Sequence, residues 1–148
     1  MNYDFYNKIS ISEQFESYDF ISVGINGNIE KRVKFEFVEE LNIYNLAFGD
    51  INELGEIDDY SISNNKDLAK VLATIAFIVK VFLEKFPNRS IYFRGTTVER
   101  TRLYRMAIGN NLDELQEYFD IYGIQSDDGI DFFTKNQDYI AFLVRKKL

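Results

Sequence analysis

Strict alternation runs through the first third of the chain. In the stretch IEKRVKFEFV, Val33, Phe35 and Phe37 alternate with Lys34 and Glu36, the period of a strand with one buried and one wetted face. FISVG lies before it, and Asn26-Gly27 between the two is a turn signal, so a hairpin is predicted. Tyr44, Leu46 and Phe48 repeat the alternation in a third strand, which Gly49-Asp50 is expected to end. A further short strand is placed near Ile57–Ile62.

The period then changes to that of a helix. Leu68, Val71, Leu72, Ile75, Ala76, Val79, Phe82, Leu83 and Phe86 recur at helical spacing. Asn64 or Asn65 is placed to cap the start, and Pro87-Asn88 stops it. Phe77, Ile78 and Val81 add apolar surface on other sides, so the helix Asp67–Phe86 is expected to be central, with Ile75 and Val79 nearly inaccessible. Ile91–Arg94 reads as a short strand. Thr96-Thr97-Val98-Glu99 matches a capping box, opening a helix to about Ile108 with Gly109 as the residue past its end. Asn111-Leu112-Asp113-Glu114 opens a second, short helix that ends near Phe119. Ile121–Gln125 is the next strand, Ser126-Asp127-Asp128-Gly129 a turn, and a last hairpin pairs Ile130–Lys135 with Tyr139–Lys146. This order predicts a single α+β domain spanning the chain, with a largely antiparallel sheet, one long central helix and a short helix pair.

Composition narrows the chemistry. With 148 residues, 46% of them hydrophobic, the chain is long enough to bury roughly 68–70% of its unfolded surface without staples. It has no cysteine and no histidine. Thiolate nucleophiles, zinc–thiolate sites, imidazole bases and Ser-His-Asp triads are therefore excluded. A metal site would have to be oxygen-only. Asp58-Asp59 and Asp127-Asp128 with Asp131 lack EF-hand spacing and read as solvated turns, so no metal and no cofactor is expected. The opening MNYDFYNKISIS is not a signal peptide. The most apolar segment, Val71–Leu83, is 13 residues long, well short of the roughly 20 that a membrane span needs. A soluble cytoplasmic protein is expected. The net charge of −7 argues against broad nucleic-acid binding, which needs a basic surface.

Against that acidic balance, IYFRGTTVERTRLYR gathers four of the seven arginines around one predicted strand-to-helix turn. Tyr92 and Arg94 share a strand face. On the helix, Leu103, Tyr104, Ala107 and Ile108 form the apolar stripe; Arg100 falls inside it, and Arg102 and Arg105 in the solvated sector. Arg94 and Arg100 are therefore the candidates, converging beside a helix N-terminus that favours anions. Gly95 is expected to let a ligand approach the backbone, Thr96 and Thr97 add hydroxyls, and Tyr104 with Tyr92 lines the pocket. Two readings stand: a phosphate or carboxylate site, or internal ion pairs with Asp50, Glu53 or Asp58 that fix the helix to the sheet.

The stretch FRGTTVERTRLYRMAI, with the later FDIYG and YIAFLVRKK, resembles an uncharacterised family of small bacterial proteins, a domain of unknown function common in Bacteroidetes. The resemblance covers most of the chain and implies no activity, but it points to Arg94, Gly95, Thr96, Arg100 and Tyr104. The order helix, strand, short helix, strand in the second half also resembles the core of GNAT acetyltransferases. Where that family places its glycine-rich pyrophosphate loop, this chain has SISNNKDLAKVL, with no glycine. FRG followed by an arginine is similar to the opening of the FRG domain, related to ADP-ribosyltransferases, although only 53 residues follow Gly95 here.

These features favour an intracellular protein-interaction module, such as one component of a bacterial two-gene toxin–antitoxin system, that acts through a protein partner or a small anionic ligand. The alternative is a GNAT-like or nucleotide-handling enzyme using the same arginine pocket. No catalytic residue is assigned.

Overall fold

The computed structural model of the protein describes residues 4–58 and 64–148. Among them the chain forms nine strands and three helices. In order these are β1 (Ser10–Ile11), β2 (Ser17–Gly24), β3 (Gly27–Val38), β4 (Ile43–Ile51), β5 (Ile57–Asp58), α1 (Leu68–Lys85), β6 (Ser90–Phe93), α2 (Val98–Asn110), α3 (Leu112–Leu115), β7 (Phe119–Ile124), β8 (Ile130–Phe132) and β9 (Ala141–Lys146). Pairing is largely antiparallel. β4 and β6 run parallel, with α1 in the long connection that a parallel pair requires. This is the expected α+β class. The chain divides into two compact units, one made of the chain up to Glu36 with Leu46–Phe82, the other of Phe37–Asn45 with Leu83–Leu148.

In the first unit β2 and β3 form the predicted hairpin, but the turn sits one residue early. Gly24 faces Gly27 in the register, which leaves Ile25-Asn26 as the loop. The cause is tertiary. Asn26 donates its backbone N–H to Asn65 Oδ1 (2.7 Å) and its side-chain Nδ2 to the Asn64 carbonyl (2.7 Å). A Cβ on Gly24 would meet the Asn65 carbonyl oxygen at 2.0 Å, so only glycine permits this approach. Asn65 thus clamps the hairpin instead of capping α1. The first helical hydrogen bond runs from the Val71 N–H to the Asp67 carbonyl (2.9 Å), which puts Asp67 at the cap.

Tyr18, Phe20, Val33 and Phe35 are buried on the inner face of this hairpin. Phe35 stacks on Phe82 of α1 with ring centroids 3.9 Å apart. The buried face of α1 is rotated from the expected one. It is built on Val71, Thr74, Ile78 and Phe82, flanked by Ala73, Val79 and Leu83. Ile75 is only half-buried and Leu68 is exposed. Thr74 explains the rotation. Its hydroxyl donates to the Lys70 carbonyl (2.7 Å) and accepts from the Tyr6 N–H (2.9 Å), so a residue that counts as polar in the pattern is buried fully satisfied. β4 runs on through Gly49-Asp50 and pairs with β5 at Asp50↔Asp58 and Ile51↔Ile57. Gly49 marks close packing, since a Cβ there would meet the Asp58 carbonyl oxygen at 2.7 Å. β5 supplies the first two positions of the strand expected near Ile57–Ile62; residues 59–62 lie outside the described residues, as does the Asp59 half of the Asp58-Asp59 pair.

In the second unit β4, β6, β9, β7 and β8 lie side by side in that order. The predicted last hairpin does not form. β8 pairs with β7, and β9 lies between β7 and β6. The tight turn decides this: the Gln125 N–H donates to the Gly129 carbonyl (2.8 Å), and Asp127 Oδ1 accepts the Gly129 N–H (2.9 Å). β9 carries buried Ala141, Phe142 and Val144, which suits a strand flanked on both edges. Phe37, expected on a buried face, is exposed and packs its ring on Tyr44 at 5.1 Å. α2 runs past its expected end, with Gly109 buried inside it; Asn111 follows and donates Nδ2 to the Ala107 carbonyl (2.8 Å). α3 is a single turn that stops at Leu115, without a side-chain cap.

Candidate functional site

β6 ends at Phe93, so Arg94 opens the connection to α2. Its side chain is exposed and makes no hydrogen bond or ion pair with another described residue. The cap of α2 is Thr97, one residue later than the predicted Thr96. Thr97 Oγ1 accepts the Arg100 N–H (3.2 Å), so Arg100 and not Glu99 takes the third helical position. Thr96 holds the arginine side chain instead, its hydroxyl oxygen accepting from Arg100 Nη1 (3.3 Å).

Gly95 does not open the backbone to a ligand. Its N–H donates to Thr101 Oγ1 (3.0 Å), and a Cβ on it would meet Arg100 Cβ and Thr101 N, each at 2.5 Å. The first turn of α2 already fills that space. Thr101, buried, also donates to the Thr97 carbonyl (3.2 Å). It therefore pins strand end to helix start, a role that sequence reasoning passed over. The available signal was a threonine four residues past a capping threonine, where its hydroxyl reaches back to the cap carbonyl.

The buried side of α2 follows Thr101, Tyr104, Arg105 and Ile108, with Leu103 exposed. Tyr104 packs edge-on against Phe93 at 5.8 Å. Arg105 is half-buried and donates Nη1 to the Gln137 carbonyl (3.3 Å), so it leans on the chain before β9 instead of pointing to solvent. Arg102 is exposed, without a hydrogen bond or ion pair among the described residues. The structure thus brings Arg94, Gly95, Thr96, Thr97 and Arg100 to one corner, with the Arg100 stem against Gly95.

The model of DUF6934, a family of unknown function, matches residues 2–147. The chain belongs to this family. No curated protein and no solved structure matched it. The match to DUF6934 takes in both compact units and the whole arginine turn.

Two further polar clusters of this DUF6934 chain escaped sequence reasoning, both in the first unit. In one, Lys31 donates Nζ to Asp50 Oδ1 at 2.6 Å, with side chains 7% and 16% exposed. Asp50 was a candidate partner for the arginines. The missed signal was parity, because Lys31 shares its strand face with Val33 and Phe35. In the other, Tyr6 and Ser22 both donate hydroxyls to Asp67 Oδ2 (2.5 Å each). Asn65 Nδ2 donates to Ser22 Oγ (3.0 Å) and to the Gly27 carbonyl (3.0 Å), and Tyr6 Oη accepts the Val23 N–H (3.0 Å). This knot ties the N-terminal arm, the β2–β3 hairpin and the start of α1 together.

Burial first, and then the hydrogen bond to Asp67, raise the Tyr6 phenol above its ordinary value of 10.0. A raised folded-state pKa stabilises the protein fully below the unfolded value, and that stability is lost as pH rises through the folded one. Tyr6→Phe should therefore cost about 1–2 kcal/mol at pH 7 and flatten the fall in stability above pH 10. Urea titrations at neutral and alkaline pH would show this; an unchanged alkaline slope would remove Tyr6 from the account.

A groove of about 510 Å³ lies on the first unit, lined by Lys8, Asp19, Glu30 and Arg32 among others. Arg32 is already committed: Nε and Nη2 reach the two Asp19 oxygens at 2.7 and 2.9 Å, and Nη1 reaches the Gly55 carbonyl at 2.8 Å. The hydrogen bond to Asp19 holds its guanidinium above its usual range. None of the predicted site residues lines this groove. Among the described residues no group of three or more acidic side chains is placed to hold a metal, and no helix is long and apolar enough to cross a membrane.

Proposed function

We propose that this DUF6934 chain is a protein-interaction module whose arginine turn receives a carboxylate or phosphate, carried by a protein partner or by a small anionic ligand. The observation that carries this reading is Arg94. It is an exposed guanidinium, without a hydrogen bond or ion pair among the described residues, on a corner held rigid by Thr97 and Thr101. A planar fork on a fixed base suits bidentate recognition of an oxyanion. Arg100 adds a second guanidinium beside it, and the start of α2 adds a partial positive charge. Because Gly95 is packed shut, the guanidiniums rather than backbone amides would make the contact. The absence of histidine and cysteine supports binding over imidazole or thiolate chemistry. A partner encoded beside this chain, as in a two-gene toxin–antitoxin system, fits that role.

The test is co-purification with the product of a neighbouring gene. Arg94→Lys and Arg100→Lys should weaken retention about tenfold or more, the loss expected when a charge-assisted bidentate contact is broken. Arg102→Lys should leave it intact. Arg94→Lys should also leave stability within about 0.5 kcal/mol, since no described residue hydrogen-bonds or ion-pairs with that side chain. Parallel loss of stability and binding would make the cluster scaffold. A thermal shift with coenzyme A, NAD or nucleotides that survives both arginine substitutions would move the function elsewhere.

A further inference from the structure

An apolar row crosses one face of the second unit's sheet: Tyr92 on β6, Leu143 on β9, Tyr122 on β7 and Phe132 on β8 stand opposite one another in turn. The row ends in the open. Phe132 is 59% exposed and its neighbour on the same face, Ile130, 54%, although Tyr122 and Phe132 stack at 4.8 Å. β8 is the last strand of the sheet.

Its outer edge has main-chain groups turned away from β7; the Phe132 carbonyl among them accepts a long hydrogen bond from the Thr134 hydroxyl (3.5 Å), which an incoming strand would displace. The Gln125 N–H bonds to the Gly129 carbonyl and the Phe133 N–H to the Ile121 carbonyl, so alternate residues 129, 131 and 133 face β7. Ile130 and Phe132 therefore turn their N–H and C=O outward. The Ile130 pair has no partner among the described residues. The Phe132 N–H is occupied by Asp131 Oδ1 at 2.7 Å, a side chain that blunts the edge as natural edge strands are often blunted.

The turn and strand that form this edge carry only acidic charge, Asp127, Asp128 and Asp131, and the next cation, Lys135, comes three residues past Phe132. No lysine or arginine occurs between Arg105 and Lys135, whereas that stretch holds Asp113, Glu114, Glu117, Asp120, Asp127, Asp128 and Asp131. Arg145, on β9 beyond β7, donates Nη2 to the Tyr122 hydroxyl (2.6 Å), and Lys146 follows it at the end of that strand.

We infer that β8 is a docking edge for an extended segment of a basic partner protein. The segment adds a strand, its main chain bonding to Ile130 and the Phe132 carbonyl. One apolar side chain extends the row beside Phe132, and flanking lysines or arginines meet Asp127, Asp128 and Asp131. Asp131 releases the Phe132 N–H to the incoming strand and turns to a partner cation, so the residue that guards the empty edge also selects its occupant. A second copy of this chain is disfavoured, because two such edges would set aspartates against aspartates. The site uses none of the arginine-turn residues and stands or falls without it.

The probe is a synthetic cyclic β-hairpin whose free strand alternates lysine with isoleucine, added to the isotope-labelled full chain. The Ile130 amide, exchanging freely at first, should become protected. The triple variant Asp127→Asn, Asp128→Asn, Asp131→Asn keeps each side-chain acceptor but removes the charge, and should weaken binding about tenfold, each rim pair contributing modestly. Ile130→Pro removes the outward N–H, which an edge strand tolerates, and should abolish binding; if it disrupts the β7–β8 pair, the asparagine variant still decides. Equal binding of a hairpin with glutamates for lysines, or binding without Ile130 protection, would overturn the proposal. Ile130 protection that rises with protein concentration alone would make a second copy the occupant and overturn it equally.

Discussion

Replacing Phe82 by alanine should cost about 3–5 kcal/mol, whereas Ile75→Ala should cost less than about 2 kcal/mol. The two residues lie on the same helix and both fit the apolar spacing, so the contrast tests which face of α1 is the core face. Phe82 is fully buried and lies flat on Phe35, with ring planes 13° apart. Its removal strips the partner from a ring that Tyr18 meets edge-on at 5.6 Å from the other strand. A cavity of aromatic size in a packed interior forfeits both transfer and dispersion energy. Ile75 is half-buried and its truncation is partly refilled by solvent. Guanidinium titrations of both variants, with unchanged slope to keep the comparison two-state, supply the measurement. Equal losses would return the core face to the unrotated stripe.

That rotation shows where the sequence stops being legible. The fold class was readable because the period changes sharply, from two in the β3 and β4 segments to 3.6 after Asn65. The finer choices turned on atoms far away in the chain. Thr74 is polar by type and apolar by position, because Tyr6, 68 residues distant, supplies one of its hydrogen bonds. The hairpin turn moved by one residue because Asn65, 39 residues away from Asn26, clamps it. The order of the last three strands depended on whether β8 folds back on the strand before it or the strand after it. Local alternation suits both.

The candidate site divides the same way. Its arginines stand out against the acidic composition, and Arg94 is exposed at a strand end. Only Thr96, with Glu99 three residues on, satisfied the capping-box pattern, yet the Thr97–Arg100 hydrogen bond makes its neighbour the cap. The packing of Gly95 under Arg100 and Thr101 needs coordinates, since a glycine before a helix is equally consistent with an open or a filled corner.

The second large effect is expected at Asp50. Asp50→Ala should cost about 3–5 kcal/mol, the usual consequence of removing one partner from a buried ion pair. Lys31 stands opposite Phe20 on the inner face of the β2–β3 hairpin, with its Nζ 5.7 Å from the centre of the Phe48 ring. Its hydration there is replaced in part by a short contact to the Asp50 carboxylate. Without that carboxylate the ammonium loses a close counter-charge in poorly solvated surroundings, or drags β3 toward water. Added salt should not restore the loss, because counterions screen buried charges weakly. The double variant Lys31→Met, Asp50→Leu removes both charges at similar volume and should recover most of the stability. A double variant as unstable as Asp50→Ala would show that the pair contributes net stability beyond its own desolvation. A single variant losing less than about 1 kcal/mol would place Lys31 in water and contradict its burial.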